Sequence, residues 1–503
     1  MVLEAAYTLS KSVLPPKFYV HAGVTGLALL VTYAFSQGRS TSRERDLHAR
    51  TVLVAGAFTP LGLTIVTNLA NRGAHVIALS DYPLSHPQPS LLVPLLRTTT
   101  NNEEIYAEHA DLSSPESIRA FCTKFLTGED QRLDAIVFAH EYPTLGSLFG
   151  TSKYAEEKRE QASLATFLLI TLLLPAVLVA PVERDIRIIN VVNPFYAAAA
   201  PTFTKSVSAL FSPETAKDAT IAKTKDSLFV KEGYRALRTV VVTRHLQRVL
   251  NALPKQADEK KDSNPSDTVP AIARMAPSNI IATSVCPGIT RSDTMTPLLS
   301  ADRDSGSNFG VMLYIIMYPL LFLFTKSTNA AVQSVLHVLF LPTPFKKLLA
   351  QMNAAADPGL SAAQASEKKA SQDDLSVPEE VLKPGALYRE CSVVTIRLPS
   401  LAAPGPPEGE RKEKVSDESK SKGKKPESAA EKESDLKKEV LELEDDDEYG
   451  GEVLGRMVWE WYEKELKAWE AKEKSKADQK KAEEENVMES PNHPQVVVTP
   501  PTN

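Results

Sequence analysis

The sequence predicts an α/β fold built on a doubly wound parallel sheet. Three observations predict it. An apolar run from Val52 to Ala55 enters a glycine turn at the head of an amphipathic helix; a second apolar run, Val76 to Leu79, ends in an acid; and short apolar runs then keep alternating with longer amphipathic stretches to about residue 395. Strands that alternate with helical patterns give crossover units and a parallel sheet covered on both faces.

Residues 1–17 form a polar lead, and Phe18 to Phe35 is an uncharged, mostly apolar run close to the ~20 residues that cross a bilayer as a helix. It reads as one membrane anchor. Arg39, Arg43, Arg45 and Arg50 follow it, against Lys11 and Lys17 before it, so the excess of positive charge places the body in the cytosol. The endoplasmic reticulum is the expected membrane, with the mitochondrial outer membrane as the alternative. A cleaved signal peptide is the competing reading, opposed by the long lead and the lack of a clear small-residue cleavage site.

Thr51-Val-Leu-Val-Ala-Gly-Ala-Phe-Thr-Pro-Leu-Gly62 is the first strand, turn and helix of a Rossmann-like unit. Gly56 allows the tight turn, Gly62 lets helix and strand approach, and the helix N-terminus beside Phe58 and Leu61 offers N–H groups to a pyrophosphate. Pro60 withdraws one of those donors. Asp81 follows at about the 20-residue distance expected of an acid that holds an adenosine ribose. A βαβ unit without nucleotide is the alternative.

Next come a strand ending in Asp111-Leu112, a helix from Ser114, a strand from Leu133 to Ala139, an apolar helix from Ala162 to Leu178 and a strand from Ile186 to Val192. A helix from about Glu232 to Leu253 and a strand from Asn279 to Val285 follow, closing on Pro287-Gly288. Polar stretches at about 198–230, 255–277 and 354–378 read as insertions. Phe309 to Phe324 is a shorter apolar run with Pro319, which enters the membrane or forms a core or pocket helix. The body thus spans residues 50–398. Residues 399–448, dominated by Lys, Glu, Asp, Ser and Pro, cannot bury a core and read as disordered. Leu454, Met457, Val458, Trp461 and Trp469 predict a helix over 449–472 that packs back on the body, with a partner protein as the alternative, before a charged tail, 473–503, that reads as disordered or as a solvated helix extension.

A net charge of −6 gives no basic field for nucleic acid, and three dispersed cysteines without a CxxC pair suggest neither disulfides nor a zinc site. No metal is expected. The oligomeric state is open.

With the elements in this order, residues 50 to 395 resemble the short-chain dehydrogenase/reductase superfamily, and the C-terminal half resembles its retinol dehydrogenase branch. The landmarks are Gly56, Gly62, Asp111-Leu112, Phe167 to Pro175, Arg187 to Val191, Pro287-Gly288 with Thr294, Tyr318 to Lys326 and Gly385 to Cys391. Among fungal proteins the chain is similar to a poorly characterised membrane-anchored family with a degenerate active site. The resemblance implies a nicotinamide dinucleotide, NAD or NADP, with NAD favoured because Asp81 repels a 2′-phosphate. It implies cofactor contacts at Gly56, Phe58, Leu61, Gly62, Asp81, Asp111, Leu112, Ala139, Pro287 and Gly288.

The catalytic positions depart from the family. The strand that should end in Ser ends in Val192-Asn193, the Asn-Asn-Ala-Gly turn reads Phe138-Ala139-His140-Glu141, and the Tyr-Lys pair reduces to Tyr234 and Arg238. Arginine is a poor proton relay because its pKa is too high. Asn193, Tyr234 and Arg238 are the candidate catalytic residues; Tyr234 as an ordinary helix aromatic, and an alignment that puts Glu232 at the Tyr position, stay open. Two functions follow as expectations: a membrane-anchored oxidoreductase acting on a lipid-like alcohol or carbonyl, or a catalytically inactive scaffold or regulatory protein at a membrane, with no bound cofactor as an option.

Overall fold

The computed structural model describes residues 19–128, 132–150, 153–181, 184–211, 227–261, 278–302, 307–348, 380–399, 443, 446 and 448–488. Strands β1 (Thr51–Ala55), β2 (His75–Ser80), β3 (Ile105–His109), β4 (Ala135–Phe138), β5 (Ile186–Val191), β6 (Ile280–Cys286), β7 (Leu387–Arg389) and β8 (Ser392–Val394) make one sheet, ordered β3-β2-β1-β4-β5-β6-β7-β8. Every neighbouring pair is parallel except β7 and β8, which form an antiparallel hairpin. Strands β4, β5 and β6 are buried at every position, as central strands covered on both faces must be. Strand order reverses between β1 and β4. That reversal opens a crevice at the carboxyl ends of the strands, where ligands of such sheets bind.

Ten helices and their caps complete the layers among the described residues. They are α1 (Tyr19–Gln37), α2 (Pro60–Ala70), α3 (Pro87–Thr100), α4 (Pro115–Thr127), α5 (Lys153–Leu178), α6 (Tyr196–Phe211), α7 (Leu228–Lys261), α8 (Asn308–Phe324), α9 (Thr328–Phe340) and α10 (Gly451–Met488), beside a π-turn at Arg291–Met295 and one helical turn at Thr296–Leu298. Helix α2 starts where it does because Thr59 caps it, its hydroxyl accepting from Gly62 N, and Pro60 stands in the first turn. Helices α2, α3 and α9 pack on one face of the sheet, and α4, α5, α6, α7 and α10 on the other.

The boundaries of four helices differ from the sequence expectation, and the first of them, α5, starts at Lys153 and not at Ala162. The polar insertion expected from about 198 begins as helix α6, because Tyr196, Ala199, Phe203 and Val207 recur on one face and bury against the core. Helix α7 runs on to Lys261, and α10 continues beyond Lys472 to Met488. Helices α3 and α9 are additional to the elements expected. The expected insertion at 354–378, nearly all of 399–448 and the last 15 residues lie outside the described residues.

The stripe on α10 returns to the body. Leu454, Val458, Tyr462 and Trp469 are buried, the Tyr462 hydroxyl meets Ser163 at 2.6 Å, and Phe167 stacks on the Tyr462 ring at 5.1 Å. Replacing Tyr462 with Ala should cost about 3–5 kcal/mol of unfolding free energy, measured by denaturant titration. Unchanged stability would mean that α10 is an appendage and not part of the core.

Candidate active site

The crevice is built around a close approach. Gly56, at φ +76°, lies where a Cβ would be 2.6 Å from His140 N, and a Cβ on Gly62 would fall 2.0 Å from Gly56 O. Both glycines are therefore required by packing of β1, α2 and the end of β4, whatever the crevice holds. Phe58 is half-buried, and its carbonyl accepts from Gln88. Ala139 is buried, its N–H paired to Ala55 O at 2.9 Å.

At the adenosine end the chain brings Asp81 and Asp111 together from the ends of β2 and β3. Asp81 is exposed at the rim yet ringed by protein: desolvation pushes its carboxyl up, His140 opposes that, and the Asp111 charge adds to it. The Asp111 carboxylate accepts from Ser113 N–H at 2.9 Å and from its hydroxyl at 2.6 Å, while Leu112 is a core side chain.

The phosphate end is arranged differently. Pro60 has no N–H, Gly62 N donates to Thr59 Oγ1 at 3.0 Å, and Leu61 N donates to Asp293 Oδ1 at 3.2 Å. Asp293 is 2% exposed, and burial raises its carboxyl pKa. It arrives on the loop that follows β6: Pro287 and Gly288 are buried there, Gly288 O accepts from the Tyr142 hydroxyl at 2.7 Å, and Thr290 Oγ1 accepts from Asp293 N at 3.2 Å. A carboxylate at a helix N-terminus satisfies the free N–H and the positive end of the helix dipole. Asp293 thus sits in the place a pyrophosphate would take. The crevice fits an adenine dinucleotide at the adenosine end, and at the phosphate end only with Asp293 displaced. No motif signalled this, because Asp293 and Leu61 are joined only by the fold.

The three candidate catalytic residues are not brought to one point. The Tyr234 hydroxyl meets Thr202 on α6 at 2.8 Å. Arg238 turns instead toward α5 and α10, making a two-pronged pair with Glu160 at 2.7 Å and lying 4.2 Å under the Trp461 ring. Asn193 donates to Glu232 O at 3.1 Å and accepts from Phe195 N. The reason is helical spacing: Tyr234 and Arg238 share a face of α7 that packs on neighbouring helices, while Glu232 and Arg235 face the crevice.

There a buried ionic network replaces the family's chemistry. Glu232 pairs with Arg235 at 2.9 Å and with Arg159 at 3.1 Å, and accepts Gly146 N–H at 3.0 Å. Arg235 also donates to Thr144 O, and Glu141 accepts from Thr166 and, at 3.0 Å, from Thr239. Burial pushes the Glu141 carboxyl up toward its protonated form. The adjoining His140 is held neutral by burial, its Nε2 against Ala162 O at 3.0 Å. The Glu232 alternative pointed to this face; Arg159 and Arg235 carried no signal.

The strand order and crevice are those expected of a doubly wound dinucleotide-binding sheet, and over part of its length the chain is similar to short-chain dehydrogenases/reductases, retinol dehydrogenases among them. It is similar to a Saccharomyces cerevisiae protein named uncharacterized oxidoreductase YNL181W, with 27% identity over 324 residues, 61% of this chain and 72% of the relative. A Schizosaccharomyces pombe protein, uncharacterized oxidoreductase pbr1, is 24% identical over 327 residues, 64% of this chain and 78% of its own length. Human retinol dehydrogenase 11 is 35% identical over 103 residues, which cover 20% of this chain and 30% of that protein. No family model matches the chain.

Removing one partner of a buried ion pair strands the other charge. Glu232→Met, which strands both Arg235 and Arg159, should therefore cost about 3–5 kcal/mol in denaturant unfolding, whereas Tyr234→Phe, which loses one partly exposed hydrogen bond, should cost no more than about 1.5 kcal/mol. A reversed order would restore Tyr234 as the residue the site is built on.

Proposed function

We propose that this chain is a membrane-anchored, NAD(P)-dependent oxidoreductase of the short-chain dehydrogenase/reductase type, acting on a lipid-like alcohol or carbonyl from the cytosolic side of the endoplasmic reticulum. One observation carries it: the glycine turn after β1, Asp81 after β2 and Asp111 after β3 gather at the carboxyl ends of the strands, where the sheet order reverses. Asp81 would hold the adenosine ribose and favour NAD, Asp111 and Leu112 would flank the adenine, and Leu61 N–H would face the pyrophosphate. A bound nicotinamide would supply or accept the hydride. The chain's own titratable groups in the crevice are His140 and Glu141, whose charged forms burial disfavours.

A second reading is favoured by a separate observation. Tyr234, Arg238 and Asn193 are each engaged elsewhere, and the crevice face of α7 carries a buried ionic network. A catalytically inactive scaffold or regulatory protein at a membrane needs no more than this. Fold alone does not choose between the two.

NADH and NADPH titration of the full chain in detergent, followed by fluorescence, decides. Asp293→Asn removes the internal charge from the phosphate seat. It should tighten NADH binding by about threefold to thirtyfold, matching the ~0.5–2 kcal/mol of a charge at a helix N-terminus. Asp81→Ala should shift preference toward NADPH. Binding without turnover of any retinoid, sterol or acyl substrate would favour the scaffold; no binding even by the Asp293→Asn variant would remove the dinucleotide from the proposal.

A further inference from the structure

The anchor does not stand alone. Tyr33 near the end of α1 stacks on Phe322 of α8, ring centroids 5.1 Å apart and planes 11° from parallel. Gln37 donates to Thr325 O and accepts from the Ser327 hydroxyl at 2.9 Å. Glu390 fastens the exit from the helix, pairing with Lys326 and accepting Arg39 N–H at 3.1 Å.

Helix α8 has no charged residue and is apolar around its whole circumference. Such a helix belongs in a protein core or in a membrane. This one is not in the core: only Gly310 and Leu321 are buried, with Leu313, Tyr314 and Met317 half-buried on the same stripe. On the opposite face Ile315 is 65% and Ile316 66% exposed, and Met312, Leu320 and Phe324 are exposed with them. The patch continues onto Leu148 and Phe149, whose ring meets Phe309 edge-on at 5.6 Å, and onto α1, which has no buried residue. Monomeric proteins rarely expose apolar patches beyond a few hundred Å².

We infer that the outer face of α8 is a membrane-docking surface whose occupant is the hydrocarbon of the bilayer that α1 enters. This rests on the membrane anchoring proposed above. Continuity with α1 supports lipid as the occupant, since the medium around the last turns of α1 is also the medium around Phe322. Arg39, exposed where α1 ends, stands at the headgroup level of an anionic leaflet. Both ends of α8 are held to the body: a Cβ on Gly310 would lie 2.2 Å from Leu299 O, and Thr325 N pairs with Leu321 O beside buried Thr325 and Lys326. At roughly 26 Å for 17 residues it is also short of a ~30 Å span. It therefore lies in the leaflet and does not cross it. Tyr314 donates to Arg291 O at 3.3 Å, and the Arg291 guanidinium lies 4.7 Å from the Phe322 ring centroid, so the loop that carries Asp293 sits directly under the lipid-facing helix.

The test uses the full chain with Cys391→Ser, reconstituted in vesicles of phosphatidylcholine and phosphatidylserine. Cysteines introduced one at a time at Ile316 on α8, Leu30 on α1 and exposed Thr98 on α3, beside the buried Cys122 and Cys286, carry an environment-sensitive fluorophore, and quenching is measured with spin labels on the lipid acyl chains. Quenching at Ile316→Cys comparable to Leu30→Cys and well above Thr98→Cys is the expected result. Quenching at Leu30→Cys but not at Ile316→Cys would overturn the docking surface and leave the anchor standing. No quenching at either would overturn both. An unquenched Ile316→Cys that forms disulfide-linked dimers would assign the face to a second copy and overturn lipid as its occupant.

Discussion

A side chain at Gly56 has nowhere to go. The backbone of His140 and the carbonyl of Gly56 itself close on this turn and on Gly62, so β1, α2 and the end of β4 meet with no Cβ between them. Strand order reverses at the same place, and the crevice exists because that junction is tight. The cost of the arrangement is that neither glycine reports on a ligand. A substitution at Gly56 tests folding first.

Around the junction the chain has answered its unsatisfied groups from within. The first turn of α2 takes a carboxylate from Asp293, and the crevice face of α7 takes Glu232 and Arg235, closed by Arg159. Buried charges stay only where they are paired, and a paired network is rigid. The adenosine end is the exception, with Asp81 at the surface beside Asp111. The crevice is therefore half open and half sealed. Both functional readings start from the same geometry, and they part on whether Asp293 leaves its seat and on whether the sealed face of α7 supports turnover.

The apolar outer face of α8 and the crevice are linked by one loop. Arg291 lies against Phe322 of α8, and Asp293 two residues later lies on α2. Helix α8 packs over that loop from outside, and Glu390 fixes the end of α1 to the sheet edge through Lys326. Two apolar helices and a hairpin are thus joined on one side of the body.

The apolar runs were legible in the sequence because a parallel strand buried on both faces must be continuously apolar, as Val52 to Ala55 and Ile186 to Val191 are. The glycine turn, Asp81, Asp111 and the stripe on α10 were legible for the same local reason: each depends on residues a few positions apart. Which face of α7 meets the crevice was not, since rotating a helix by the two-residue step from Glu232 to Tyr234 changes its partners completely and only packing against neighbouring elements fixes the rotation. Nor was Asp293, whose partner Leu61 lies 232 positions earlier in the chain. Local periodicity and turn chemistry determined the class of fold, the apolar N-terminal helix and the acids that follow β2 and β3; tertiary structure alone decided which charges meet, because pairing between distant elements leaves no local pattern in the chain.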